Sequence, residues 1–162
     1  MDDYDRRSDA VWASIDDYDD EAAFRAQVDE LVAELPPDDP IASFERACAW
    51  DSTGHSDRAI PLYRLALEHG LEGERRRRAV IQMSSSLRNM GDVEESVRLL
   101  TAERDRASDQ LDAAVAAFLA LALVDSGRER EAVAVVLGAL VPYLPRYQRS
   151  VGNYARDLVA EQ

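Results

Sequence analysis

The stretch that decides the fold is Ala47-Cys-Ala-Trp50-Asp-Ser-Thr-Gly54-His-Ser-Asp-Arg-Ala59-Ile-Pro-Leu-Tyr63. It sets a small residue seven positions before a glycine and a bulky apolar one four before it. A second small residue stands five positions after the glycine, and a large one nine after. The same order returns twice. Gly91 lies 37 residues on and Gly127 a further 36, with Ser84 and Ala120, Leu87 and Leu123, Ser96 and Ala132, and Leu100 and Val136 at the matching places. Small residues let two antiparallel helices approach closely, large ones fill the space beside them, and the glycine supplies the turn. Each unit therefore reads as a helix pair with an apolar face it cannot bury alone, and stacking three pairs buries it.

Helical signals extend outward on both sides. Phe24, Val28, Leu31, Val32 and Leu35 recur at helical spacing, opened by Asp19 and Asp20 and stopped by Pro36 and Pro37. Asp39 reads as an N-cap with Pro40 at the first helical position, where its missing N–H costs nothing. Asp92 and Glu95 have the spacing of a capping box. After Pro145 a last amphipathic helix is predicted, with Tyr147, Val151, Tyr154 and Leu158 on one face. Val11, Trp12 and Ile15 mark a short helix or an arm, whose apolar side chains need cover. No segment alternates with a two-residue period, so no strand is predicted.

The fragments Trp50-Asp-Ser-Thr-Gly54, Ala59-Ile-Pro-Leu-Tyr63-Arg-Leu-Ala66-Leu, Ser84-Ser-Ser-Leu-Arg-Asn-Met-Gly91 and Gly127-Arg-Glu-Arg-Glu-Ala132 resemble the tetratricopeptide repeat family, and within it a subgroup of short bacterial proteins. The resemblance covers about residues 40–145. It implies an all-α, right-handed α-solenoid of three helix-turn-helix repeats with capping helices at both ends. The expected division is an acidic arm or short helix over 1–18, an N-terminal cap over 19–39, repeats over about 40–73, 74–108 and 109–145, and a C-terminal cap over 146–162. It also implies a concave groove lined by the first helix of each pair, where peptide ligands lie, and no catalytic activity.

Composition narrows the function classes. The chain has 162 residues, room for one domain with a core of its own. Its longest apolar run, Ala113 to Val124, is 12 residues, against the ~20 that a membrane span needs. No basic and then apolar leader opens the sequence, and the single cysteine excludes an internal disulfide, so a cytoplasmic location is expected. The formal net charge is -13, of which residues 1–40 carry -11. All 19 basic residues are arginine, a usage that fits a high-GC bacterial gene. Neither nucleic acid nor membrane is an expected partner, since a basic footprint is lacking.

The candidate chemistry is thin. There is no glycine-rich phosphate loop, no His-Glu-x-x-His, no Cys-x-x-Cys and no Gly-x-Ser-x-Gly, so no catalytic residue, metal or cofactor is assigned. His55 and His69 sit at a turn and a helix end, and Cys48 beside a packing alanine. Asp16, Asp17, Asp19, Asp20 and Glu21 lack the ligand alternation and turn glycine of a calcium loop. Arg75 to Arg78 open a helix where cations are electrostatically misplaced, so carboxylates of Glu72, Glu74 or the acidic arm are expected to compensate them.

Two groups remain for binding. Arg78, Gln82, Ser85, Arg88 and Asn89 share roughly one side of the first helix of the second repeat, suited to a peptide carboxylate. Ala117, Leu121 and Val124, with Ala114, lie on the third side of a helix that is apolar all round and would face the groove. The reading is a non-catalytic adaptor or scaffold that binds a protein or peptide. Its alternatives are a homodimer burying the apolar third repeat, and an anion or small-molecule sensor using the arginines of the second. The apolar groove is expected to be covered from within, by Val11, Trp12 and Ile15 of the arm or by a second copy.

Overall fold

The computed structural model describes residues 3–106 and 108–160. They form nine α-helices: α1 (Asp3–Ala13), α2 (Glu21–Val32), α3 (Pro40–Ser52), α4 (Ser56–Glu68), α5 (Gly73–Asn89), α6 (Val93–Arg106), α7 (Asp112–Asp125), α8 (Glu129–Leu140) and α9 (Gln148–Ala160). Single 3-10 turns stand at Ile15–Asp17 and Val141–Tyr143, and no strand occurs among the described residues. The chain divides into two compact units, residues 1–79 and 80–162, and α5 passes from one into the other.

Helix ends follow the sequence. The Asp20 carboxylate accepts the Ala22 N–H at 2.9 Å to cap α2, and that of Asp39 accepts the Ile41 N–H at 2.8 Å to cap α3, with Pro40 in the first turn. The three aligned glycines close one kind of turn. The N–H after each reaches the carbonyl five residues back: His55 to Trp50 at 2.9 Å, Asp92 to Leu87 at 2.9 Å and Arg128 to Leu123 at 2.8 Å. At Gly91 this needs φ +88°, where a side chain would be strained.

In the first unit α3 packs on α4, α2 on α3, and α1 on α2. Ala47 and Ala59, the paired small residues, are fully buried, with Phe44 and Tyr63 filling the space beside them, ring centroids 6.4 Å apart. Trp50 is only half-buried. Its ring lies beneath the Arg25 and Arg58 guanidiniums, at 4.4 and 4.8 Å. A second cluster joins Phe24, Val28, Val32, Ala42 and Ala49. Val11, Trp12 and Ile15 pack against this cluster, so the three apolar residues of the arm are covered inside the first unit by α2 and α3. This stretch, read from sequence as a short helix or an arm, forms helix α1, packed on α2.

In the second unit α6 packs on α7, α7 on α8, and α8 on α9. Its core holds Ile81, Val97, Leu100, Val115, Leu119, Ala120, Ala122, Leu123 and Ala132. Two expectations are corrected. Val136 does not fill the third pair; it is 43% exposed, and Val135 turns inward because the buried face of α8 steps by three residues from Ala132. On α9 the buried side is Ala155, flanked by half-buried Val151 and Leu158. Tyr147 and Tyr154 are 75% and 66% exposed; Tyr147 stands before the first turn of α9 with φ +68°, and Tyr154 is on the side of the helix away from Ala155's packing.

Candidate functional site

The arginine run at the start of α5 is spread over separate surroundings. Arg75 donates to Asp5 of α1 at 2.6 Å, and its Nε lies 3.8 Å from Glu45. That supplies the compensating carboxylates, one of them from the acidic arm as expected and one from α3. Arg77 is buried, and the Arg78 guanidinium, open to solvent, lies over the Phe44 ring at 5.3 Å. These groups do not make one anion pocket in the first unit.

Further along α5, within the second unit, Gln82 and Ser85 are half-buried and Asn89 is exposed, on one side of the helix. Arg88 is half-buried and donates to Asp125 at 2.9 Å and to the Asn89 carbonyl oxygen at 3.4 Å. The ion pair joins the C-terminal ends of α5 and α7. It places a cation at one negative helix end and neutralises an acid misplaced at the other. A ligand carboxylate at Arg88 would therefore share the guanidinium with Asp125.

On α7, Ala117, Leu121 and Val124 face outward as a stripe at i, i+4 and i+7, with Leu121 and Val124 each 48% exposed; Ala114, one turn before, is half-buried. The opposite side of the same helix is the core: Val115, Leu119 and Ala122 are buried to 1% exposure or less. Sequence reasoning missed a second set. Val133, Val136 and Leu140 on α8, at i, i+3 and i+7, are 43–49% exposed. Periodicity within one helix does not say which of two apolar faces its neighbours take.

The remaining candidates have quiet surroundings. Burial, with the Glu45 charge adding to it, pushes the Cys48 thiol up to about 12, and the Tyr63 hydroxyl donates to its sulfur at 3.7 Å. A thiol held in that form is no nucleophile near neutral pH. His55 stacks edge-on to Trp50, 3.8 Å from Glu21, and a ring nitrogen of His69 lies 3.2 Å from the Asp38 carbonyl oxygen. The acidic residues 16, 17, 19, 20 and 21 are exposed. No helix among the described residues is long and apolar enough to cross a membrane.

Helix pairs closed by a repeated glycine turn, with small residues at the crossing points, define an α-helical repeat protein. The family described as Tetratrico peptide repeat matches residues 40–158, and the chain belongs to it. The match runs past the third pair and takes in most of α9. A search of curated proteins finds no match. Membership makes the chain a repeat scaffold of a kind that generally serves protein interaction and is generally non-catalytic.

Proposed function

We propose that the chain is a non-catalytic adaptor that binds a segment of another protein on the face where α5 and α7 of the second unit meet. The observation that carries this reading is the outward stripe of Ala117, Leu121 and Val124 on α7, whose C-terminal end is tied by the Arg88–Asp125 ion pair to α5, the helix that carries Gln82, Ser85 and Asn89. The stripe would bury apolar side chains of the segment. The amides and hydroxyl would hold its backbone or a terminal carboxylate, with Arg88 adding charge shared with Asp125. The all-arginine basic set fits a bacterial member of the family.

The test is affinity capture from the source cells with full-length wild type, Leu121→Glu and Asn89→Ala, read by mass spectrometry. The expected result is a protein retained by wild type and lost with both variants, while both keep the wild-type melting temperature. Identical captures from all three would overturn this site. A second reading, a homodimer on the apolar second unit, is favoured by the exposed Val133, Val136 and Leu140 together with Leu121 and Val124. It predicts a solution mass twice that of the chain, reduced by Leu121→Glu.

A further inference from the structure

In the first unit helix α1 is held against a buried carboxylate by a small set of polar contacts. Helix α1, Asp3-Tyr-Asp-Arg-Arg-Ser-Asp-Ala-Val-Trp-Ala13, is mostly polar, and Ser8 is its one buried residue. A helix of 11 residues has little stability alone, so what holds it is what it touches. Trp12 sets its ring edge against Phe24, centroids 5.2 Å apart, and its Nε1–H donates to Glu45 at 2.7 Å. The Ser8 hydroxyl donates to the other Glu45 oxygen at 3.3 Å. Asp5 accepts from Arg75 at 2.6 Å. Arg7 grips Glu34 with two bonds of 2.6 Å.

The receiving side is built for this. Glu45 is a carboxylate on α3 whose side chain is only 4% exposed, and burying a charge is costly unless it is met by donors. Two of its donors come from α1, and Arg75 stands 3.8 Å away on α5. A carboxylate and a guanidinium side by side form a two-pole reader. They match an acid, a hydroxyl three residues later and an indole N–H seven residues later on one helix face. Only one residue of α1 is buried, and a segment that buries so little opens at low free-energy cost. Away from these contacts an open surface groove of about 390 Å³ runs along α1 and α2, lined by Arg7, Val11, Gln27, Glu30, Leu31 and Glu34 among others.

We propose that α2, α3 and the first turn of α5 form a helix-binding site, held shut by α1, and that its ligand is an amphipathic helix of a partner protein with the spacing acid-x-x-hydroxyl-x-x-x-tryptophan. A partner helix that offers Glu45 and Arg75 the same donors and acid, and buries more apolar surface on Phe24 than α1 does, would displace it. This site is separate from the one proposed on α5 and α7, and neither reading depends on the other.

The probe is a fluorescein-labelled peptide of residues 3–14, titrated into full-length protein and read by anisotropy. In the wild-type chain it competes with a tethered copy at an effective concentration in the millimolar range. The Trp12→Ala chain loses the anchor of its own helix and keeps Glu45, Arg75 and Phe24. It is expected to bind the peptide at least tenfold tighter than wild type does. Glu45→Gln in that background, or a peptide carrying Trp12→Ala, is expected to abolish binding. Asp5→Ala is the second chain variant should Trp12→Ala fail to fold, and the same rise is expected there. Equal affinity for wild type and the variant chains would overturn the proposal. So would hydrogen exchange of the α1 amides as slow as that of α3, which would make α1 a fixed brace.

Discussion

The two units of this chain dispose of their apolar and charged groups in opposite ways. In the first, charge is turned inward: Glu45 and Arg75 meet in the interior, and aromatic side chains gather round Phe24 and Phe44. A polar helix from the N-terminus closes over them. In the second, the core is aliphatic and alanine-rich, and what is left over is apolar and outside: Leu121, Val124, Val133, Val136 and Leu140. The helix-pair plan is common to both. Only the first unit supplies its own cover.

The largest effect that separates the faces lies within one helix. Leu119→Ala removes a side chain buried to 1% and is expected to cost about 2–5 kcal/mol in urea unfolding, the range for such truncations. Leu121→Ala, two residues on, is expected to stay within about 0.5 kcal/mol of wild type. Equal losses at the two positions would mean that the α7 stripe is covered. Next in size is Cys48 chemistry. With its thiol raised to about 12 by burial, labelling by a disulfide reagent at pH 8 is expected to be slow in the native chain and rapid in denaturant. Fast native labelling would show that the seam between α3 and α4 opens easily.

The smallest effect concerns the clasp of Arg7 on Glu34. The paired guanidinium holds the Glu34 carboxyl below its ordinary value, so its contribution to docking α1 is present above the usual glutamate range and is lost as pH falls through the lowered value. Both groups are exposed, and the contribution is small. Acidification is expected to lower the hydrogen-exchange protection of α1, taken relative to the intrinsic rate at each pH, before that of α3, and Glu34→Gln to remove that pH dependence.

Most of the plan was legible in the sequence because its determinants are local. Asp20, Asp39 and Pro40 act within one turn, and the glycine turns need a backbone shape that few residues adopt. The small residues at crossing points were visible because three copies could be aligned. What escaped was set by contacts between elements. Val136 matches Tyr63 and Leu100 in position, yet Val135 is the residue that faces Ala132's partner helix. Tyr147 and Tyr154 belong to an amphipathic pattern whose inward side is set by Gly152 and Ala155. The sequence groups Ala117, Leu121 and Val124 on one side of α7 and leads one to expect that side covered from within, whereas Leu121 and Val124 are half exposed. The partner of Arg88 is not legible at all, since nothing local links residue 88 with Asp125. Trp12 needs cover because its ring is apolar, and the cover it has is Phe24 and Glu45, which lie 12 and 33 residues away in sequence.

The measurement that bears most directly on the central claim, that the second unit keeps an open face for a different protein, is the solution mass of the full chain by light scattering. It is made at low micromolar concentration for wild type and Leu121→Glu. The account predicts a monomer of 18.1 kDa in both. A wild-type dimer that Leu121→Glu splits into monomers would contradict it, because the face would then belong to a second copy.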